Sequence, residues 1–290
     1  MRDRSTKTIG VFLGTSQRNG GMFQYSQSIL DALSLLVDQK KFQIKIAYIH
    51  DDWKFLEENS NFQVRKMVAG SFGMWLSMVM LATLIPSKLV RRFLCRLNPL
   101  NNQLKKCDCD IWIFPAQDAI GYQIDLKSLV TVHDLMHRYE RGFPEVEKGF
   151  RYLIREHRFK NLTKHGLGVL VDSRVGKNQL LNCYSIDDSR IFPLPYVPQS
   201  IIASTNSNVT DYIKSYNLPE KFLFYPAQFW AHKNHRALIR ATCKLIQDGI
   251  DVHLVLTGGF AHEYQNLVDY VHKMKLTKNI LFVGFVSDLE

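Results

Sequence analysis

The residues best suited to chemistry in this chain fall at two short turns. His133 and Asp134 follow the apolar run Leu129-Val130-Thr131-Val132. Lys233 and Asn234, flanked by His232 and His235, follow Phe222-Leu223-Phe224-Tyr225 and precede the helical spacing of Leu238, Ile239 and Leu245. An imidazole at a strand end can donate to a hydroxyl or to a developing charge, and the adjacent carboxylate can accept from hydroxyls. A structural pair satisfied by its neighbours is the competing reading. A Lys at a helix start adds a full charge to unpaired N–H groups and the positive end of the helix dipole, which together suit a phosphate. A solvated surface Lys is the alternative there. Three other places carry the same kind of ambiguity. Gly20-Gly21 allows close backbone approach to a ligand or only a tight turn. Thr257-Gly258-Gly259 can admit a nucleotide or simply turn the chain. Ser173 can bind a ligand or cap the helix that follows it.

These residues need a frame, and the hydropathy pattern supplies one. Ile9–Leu13, Phe42–Ile49, Ile111–Phe114, Leu129–Val132 and Leu167–Val171 are short apolar runs that end in polar groups. Helical spacing lies between several of them, as from Phe23 to Val37 and from Gly149 to Phe159. Such a series predicts an α/β fold, with a parallel sheet that holds ligands at its C-terminal edge. The loop at Gly20 is not GxGxxG, so a dinucleotide fingerprint is absent. A Ser/Asn/Thr-rich stretch around 204–208 marks a linker over 201–219, between an N-terminal domain 1–200 and a second domain from 220 to 290. The second series has only three strand-like runs, so this domain is expected to be incomplete.

The 290 residues carry a net charge of +10 and a pI near 9.3, which favours an anionic partner. The basic residues are not interleaved with aromatics in a nucleic-acid motif, so nucleic acid is not expected as a partner. Five cysteines, at 95, 107, 109, 183 and 243, suggest free thiols in a reducing compartment. Cys107-Asp108-Cys109 lacks a second pair, so no metal site is expected. The N-terminus shows no apolar leader, which points to the cytoplasm. Met67 to Ile85 contains no charge and is followed by Lys88, Arg91, Arg92 and Arg96. It reads in three ways: as a membrane span, as a buried helix, or as a surface where Trp75 dips into a membrane interface while Arg91 and Arg92 meet anionic lipid.

The HKNH turn after YPAQ, then a helix and VHLVLTGG, resembles the start of the nucleotide-sugar domain of group-one retaining glycosyltransferases of GT-B fold. HDLMHRYERGFPE, with Pro144, is similar to a loop of that family's N-terminal domain. Ser173, Leu180, Tyr184, Ile191, Pro193 and Pro195 fall as in its S…L…Y…I.PLP segment. The resemblance implies two Rossmann-like doubly wound domains, the second incomplete. It implies hexosyl transfer, with retention, from a nucleotide-sugar donor to a glycan or lipid-linked acceptor, without cofactor or obligatory metal. His133 and, less directly, Asp134 would then be catalytic. Lys233 would meet the donor pyrophosphate, with Gln228, where the family usually has Arg, and with Asn234, Gly258 and Gly259. Gly20, Gly21 and Ser173 would form an acceptor or phosphate loop. The family's paired-glutamate donor motif comes after a segment like Phe282–Asp288, so a C-terminally truncated chain is expected. A catalytically inactive binding or membrane-associated module is the alternative.

Overall fold

A computed structural model of the chain describes residues 7–38, 42–68, 70, 72, 75, 79, 97–146, 149–197 and 213–286. They form two compact units, Met1–Arg141 with Lys148–Gln199, and Gly142–Glu147 with Ser200–Glu290.

The first unit is built on β1 (Lys7–Leu13), β2 (Phe42–Tyr48), β3 (Gln63–Lys66), β4 (Ile111–Phe114), β5 (Ser128–Thr131), β6 (Gly168–Val171) and β7 (Ile191–Pro193). All pairs are parallel, in the order β3-β2-β1-β4-β5-β6-β7. The helices are α1 (Gly21–Asp38), α2 (Pro99–Lys106), α3 (Ile120–Gln123), α4 (Met136–Tyr139), α5 (Phe150–His165) and α6 (Arg174–Cys183). Side chains alternate across the strands with period two. Val11 and Leu13 pack with Phe23, Ile29, Leu30 and Leu33 of α1 on one face. Phe12, Trp112, Phe114 and Val130 pack with Leu162 of α5 and Leu180 of α6 on the other.

One strand is absent from the hydropathy reading. β3 is polar and largely exposed at the sheet edge, so it carries no apolar run. Its place is set instead by pairing Lys45–Tyr48 with Gln63–Lys66. Helix ends follow local chemistry. Asn98 accepts from the Leu100 N–H at 3.0 Å, with Pro99 in the first turn of α2. Ser173 accepts from the Gly176 N–H at 3.1 Å and so caps α6.

The second unit has β8 (Leu223–Pro226), β9 (Leu254–Thr257) and β10 (Ile280–Gly284), parallel in the order β10-β9-β8, with α7 (His235–Gln247) and α8 (Tyr264–Lys273). Phe229, Ile239, Leu254, Leu256, Leu267 and Val271 form its core. β9 is buried throughout, whereas Leu223 and Phe224 of the edge strand β8 are 44% and 56% exposed.

The contact that seats β1 beside β4 is the closest in the sheet to a steric limit. Gly10 pairs with Trp112, and a Cβ on Gly10 would fall 2.5–2.7 Å from atoms of the indole. Gly10→Ala is expected to destabilise the chain by about 1–3 kcal/mol, as overpacking does. Urea denaturation measures this, and an unchanged midpoint would show that the indole can shift freely.

Candidate functional site

In the first unit β2 and β4 flank β1, so the chain order reverses at the β1–β4 boundary. Crevices at the C-terminal ends of strands at such a switch point are where open parallel sheets take ligands. Gly14-Thr15 follows β1, Gln117-Asp118 follows β4, His133-Asp134 follows β5 and Asp172-Ser173 follows β6. The polar strand ends read from sequence are therefore neighbours in space.

His133 is the centre of this edge. Its Nδ1 lies 2.9 Å from Asp172 Oδ1, and the His133 side chain is 6% exposed. A carboxylate only accepts, so Nδ1 donates to Asp172, and in the neutral imidazole Nε2 is the acceptor. Nε2 has no hydrogen-bond partner among the described residues. Tyr25 of α1 meets the imidazole edge-on, ring centroids 4.9 Å apart, and the Tyr196 hydroxyl lies 3.4 Å from Nδ1. Tyr25 in turn donates to the Leu194 carbonyl at 3.1 Å. Burial, then the charge of Asp172, pushes both phenols well above their ordinary range, so they act as neutral walls. The result is an oriented imidazole with one basic nitrogen, able to accept from a hydroxyl or take its proton.

Asp118 stands beside it under strain of a different kind. Its Oδ2 is enclosed without a hydrogen-bond partner among the described residues, and a Cβ on Gly14 would fall 2.9 Å from it. Burial pushes this carboxyl up to about 6, although Arg158, His133 and His50 pull it the other way. Arg158 is itself lowered by burial and by Arg155. Thr15 Oγ1 and Gln117 Oε1 are also buried without partners among the described residues. Such atoms also occur in the core, as at Trp112 Nε1 and His235; here Thr15, Gln117, Asp118 and His133 bring four of them to one sheet edge, where parallel sheets take ligands.

The other residues expected at this edge take up several roles. Asp134 is exposed and accepts from the Met136 N–H at 2.9 Å, which starts α4. Ser173 is the α6 cap described above. Gly20 has φ 54° and ψ −120°, a conformation suited to glycine, and delivers the chain into α1. A Cβ on Gly21 would meet only the Tyr196 hydroxyl, at 3.8 Å, so Gly21 borders the His133 cluster. Behind the loop, Glu156 accepts from His137 Nε2 at 3.1 Å, Arg138 Nε at 2.9 Å and the Tyr184 hydroxyl at 3.2 Å, which fixes α4 against α5 and α6.

In the second unit Lys233 and Asn234 lie exposed between β8 and α7. Asn234 adopts the left-handed conformation at φ 53°, and Tyr225 donates to the Lys233 carbonyl at 2.9 Å. The Gln228 side chain accepts from Trp230 Nε1 at 2.7 Å. His235 is 2% exposed among the rings of Tyr225 and Phe229, where burial drives its pKa down; it belongs to the core. Gly258 has no room for a side chain, since a Cβ would fall 2.3 Å from the Ala227 carbonyl oxygen. A Cβ on Gly259 would meet nothing within 4 Å. Sequence reasoning missed Asp172, Tyr196 and Asp118 as site residues. The two acids stood at strand ends, which was the available signal; nothing local marked Tyr196.

Trp75 is 59% exposed and its ring stacks on Phe72 at 6.0 Å, while Arg91 and Arg92 lie outside the described residues. Among the described residues no helix is long and apolar enough to cross a membrane.

A doubly wound parallel unit followed by a second, smaller parallel strand–helix series defines a GT-B-like α/β protein. No protein-family model and no curated protein matches the chain. Solved structures do match. The chain is similar to a glycosyltransferase from Rickettsia africae ESF-5, at 15% identity and TM-score 0.57, over 98% of this chain and 69% of that one. It is similar to Anabaena HepE in complex with UDP-glucose, at 13% identity and TM-score 0.61, over 97% and 70% of the two chains. It is also similar to the UDP-GlcNAc 2-epimerase of Methanocaldococcus jannaschii, at 16% identity and TM-score 0.50, over 97% and 74%. At these identities the likeness is one of fold.

Asp118 gives a test of the site that needs no substrate. Its carboxyl titrates near 6 when folded against 3.8 ordinarily, so the folded chain holds an extra proton between those values. Stability should therefore fall as pH rises from about 4 to 6, by about 3 kcal/mol for this group. Asp118→Asn should stabilise the chain more at pH 7.5 than at pH 4.5 in urea denaturation. A gain independent of pH would show that the carboxyl is not perturbed.

Proposed function

We propose that the protein is a glycosyltransferase that moves a hexosyl group from a nucleotide-sugar to a hydroxyl of a glycan or lipid-linked acceptor, with retention. The observation that carries this is the Lys233-Asn234 turn, an exposed cation at the start of α7 on a GT-B-like fold. The second unit would hold the nucleoside diphosphate through Lys233, with Gln228, Gly258 and Gly259 nearby in the chain. The likeness to HepE, solved with UDP-glucose, supports a nucleotide-sugar.

In the reaction the bond from the anomeric carbon to the diphosphate oxygen breaks, and the acceptor oxygen bonds to that carbon. Negative charge grows on the diphosphate, where Lys233 and helix N–H groups stabilise it without a required metal. With retention the acceptor proton leaves on the diphosphate oxygen. His133 Nε2 then holds a sugar or acceptor hydroxyl in place, and Asp172 holds His133.

Two experiments test these roles. Calorimetry of UDP, GDP and ADP with the full chain should find binding, and Lys233→Ala should weaken the tightest of them by about tenfold or more, as for a lost charged hydrogen bond. Unchanged affinity would sink the donor site. Incubation with the matching nucleotide-sugar, followed by product analysis, separates transfer from epimerisation and reports the anomeric outcome. There His133→Ala should lower turnover far more than donor affinity. Donor binding without turnover would favour a binding module instead.

We further propose a peripheral membrane position on the cytoplasmic face. The exposed Phe72–Trp75 pair and the basic run that includes Arg91 and Arg92 support it. The chain should co-sediment with phosphatidylglycerol vesicles, and Arg91→Glu with Arg92→Glu should release it. Sedimentation unaffected by these changes would overturn the membrane reading.

A further inference from the structure

Glu145 is a largely enclosed carboxylate that the mechanism above leaves without a role. It sits in Gly142–Glu147, a segment that interrupts the chain of the first unit and belongs to the second. Its partner is His232, the residue before Lys233. Glu145 Oε1 accepts from the His232 backbone N–H at 2.9 Å and from His232 Nδ1 at 2.5 Å. The Glu145 side chain is 9% exposed and that of His232 25% exposed. Phe143 closes the imidazole from one side, edge-on at 6.0 Å.

A buried carboxylate next to a phosphate site looks unfavourable, because it repels the ligand. Here its charge is satisfied locally. Burial would raise the Glu145 pKa, but the backbone and ring N–H groups of His232 take it below the ordinary carboxylate range. The carboxylate is thus ionised at neutral pH, with Oε1 engaged twice by His232. Charge-assisted bonds of this kind are about twice as strong as neutral ones. The turn is held at three successive points: His232 by Glu145, the Lys233 carbonyl by Tyr225, and Asn234 by its left-handed conformation. Of these, only Glu145 is distant in sequence and charged.

We propose that Glu145 is a positioning residue for the diphosphate-binding turn: by holding His232 at both its N–H groups, it fixes the backbone from which Lys233 meets a nucleoside diphosphate. This rests on the donor site proposed above. Lys233 sits on a short turn with an exposed, long side chain. Without a fixed backbone its ammonium would lose the preorganisation that makes one charge effective.

The test uses the full chain with UDP, and with uridine as a probe that lacks phosphate. Glu145→Ala should weaken UDP by about tenfold, the scale of a lost charged hydrogen bond, and leave uridine unchanged. Glu145→Gln should recover part of the loss, because its amide oxygen still accepts from the backbone N–H. Equal loss for UDP and uridine, or a loss that merely tracks a lower thermal midpoint, would reduce Glu145 to general stability and overturn the proposal. Lys233→Ala is measured beside them. If Lys233→Ala weakens UDP and Glu145→Ala does not, the inference fails alone. If Lys233→Ala has no effect, or the unaltered chain binds none of UDP, GDP and ADP, the underlying donor site fails and the inference with it; if GDP or ADP binds tightest, it and its nucleoside replace UDP and uridine.

Discussion

The first unit depends on how close β1 can come to β4. The indole of Trp112 occupies the space that a side chain on Gly10 would fill. A glycine opposite an aromatic residue across a strand pair covers exposed backbone and pins register. That pairing makes β1 and β4 neighbours, and their adjacency is the switch point. Gly14 then ends up against Asp118, Thr15 beside it, and His133 one strand further on. The first-unit residues of the candidate site lie past the C-terminal ends of the strands that this fit helps to align.

Two kinds of polar cluster lie above that sheet, and they contrast. Around Glu156, three donors converge on one carboxylate, and burial is outweighed, so its pKa is lowered. That cluster behaves as a brace. At Asp118, Oδ2 has no hydrogen-bond partner among the described residues, and burial raises the carboxyl instead. An unsatisfied buried group costs about 1–3 kcal/mol, so a chain selected for stability alone would not accumulate several at one edge. The difference between the clusters is hydrogen-bond completion, not charge.

Much of this was legible in the sequence, and the pattern of what was not is informative. Apolar runs such as Ile111–Phe114 and Gly168–Val171 become buried parallel strands because both sheet faces are covered, which writes a continuous hydrophobic signal. β3 left no such signal, since an exposed edge strand is placed by its partner's hydrogen bonds alone. His133 and Lys233 could be singled out because strand ends and helix starts are local features. Their supports could not. Asp172 lies 39 residues from His133, and Glu145 lies 87 residues from His232. No periodicity connects them, and only the folded chain brings each acid to its imidazole. Ser173 and Asp134 illustrate the converse: a side chain near a site is often occupied by its own helix start.

The edge strand of the second unit bears on how the protein behaves in bulk. Among the described residues β8 pairs on one side only, and Leu223 and Phe224 stand exposed along it. Its open backbone groups form a template on which a strand of another molecule can add. What opposes this is the mutual repulsion of chains that each carry +10. That repulsion acts over about 10 Å at 0.1 M salt and shortens as salt is added, whereas strand addition does not weaken with it. Charge repulsion between chains therefore opposes pairing at the β8 edge most strongly at low ionic strength.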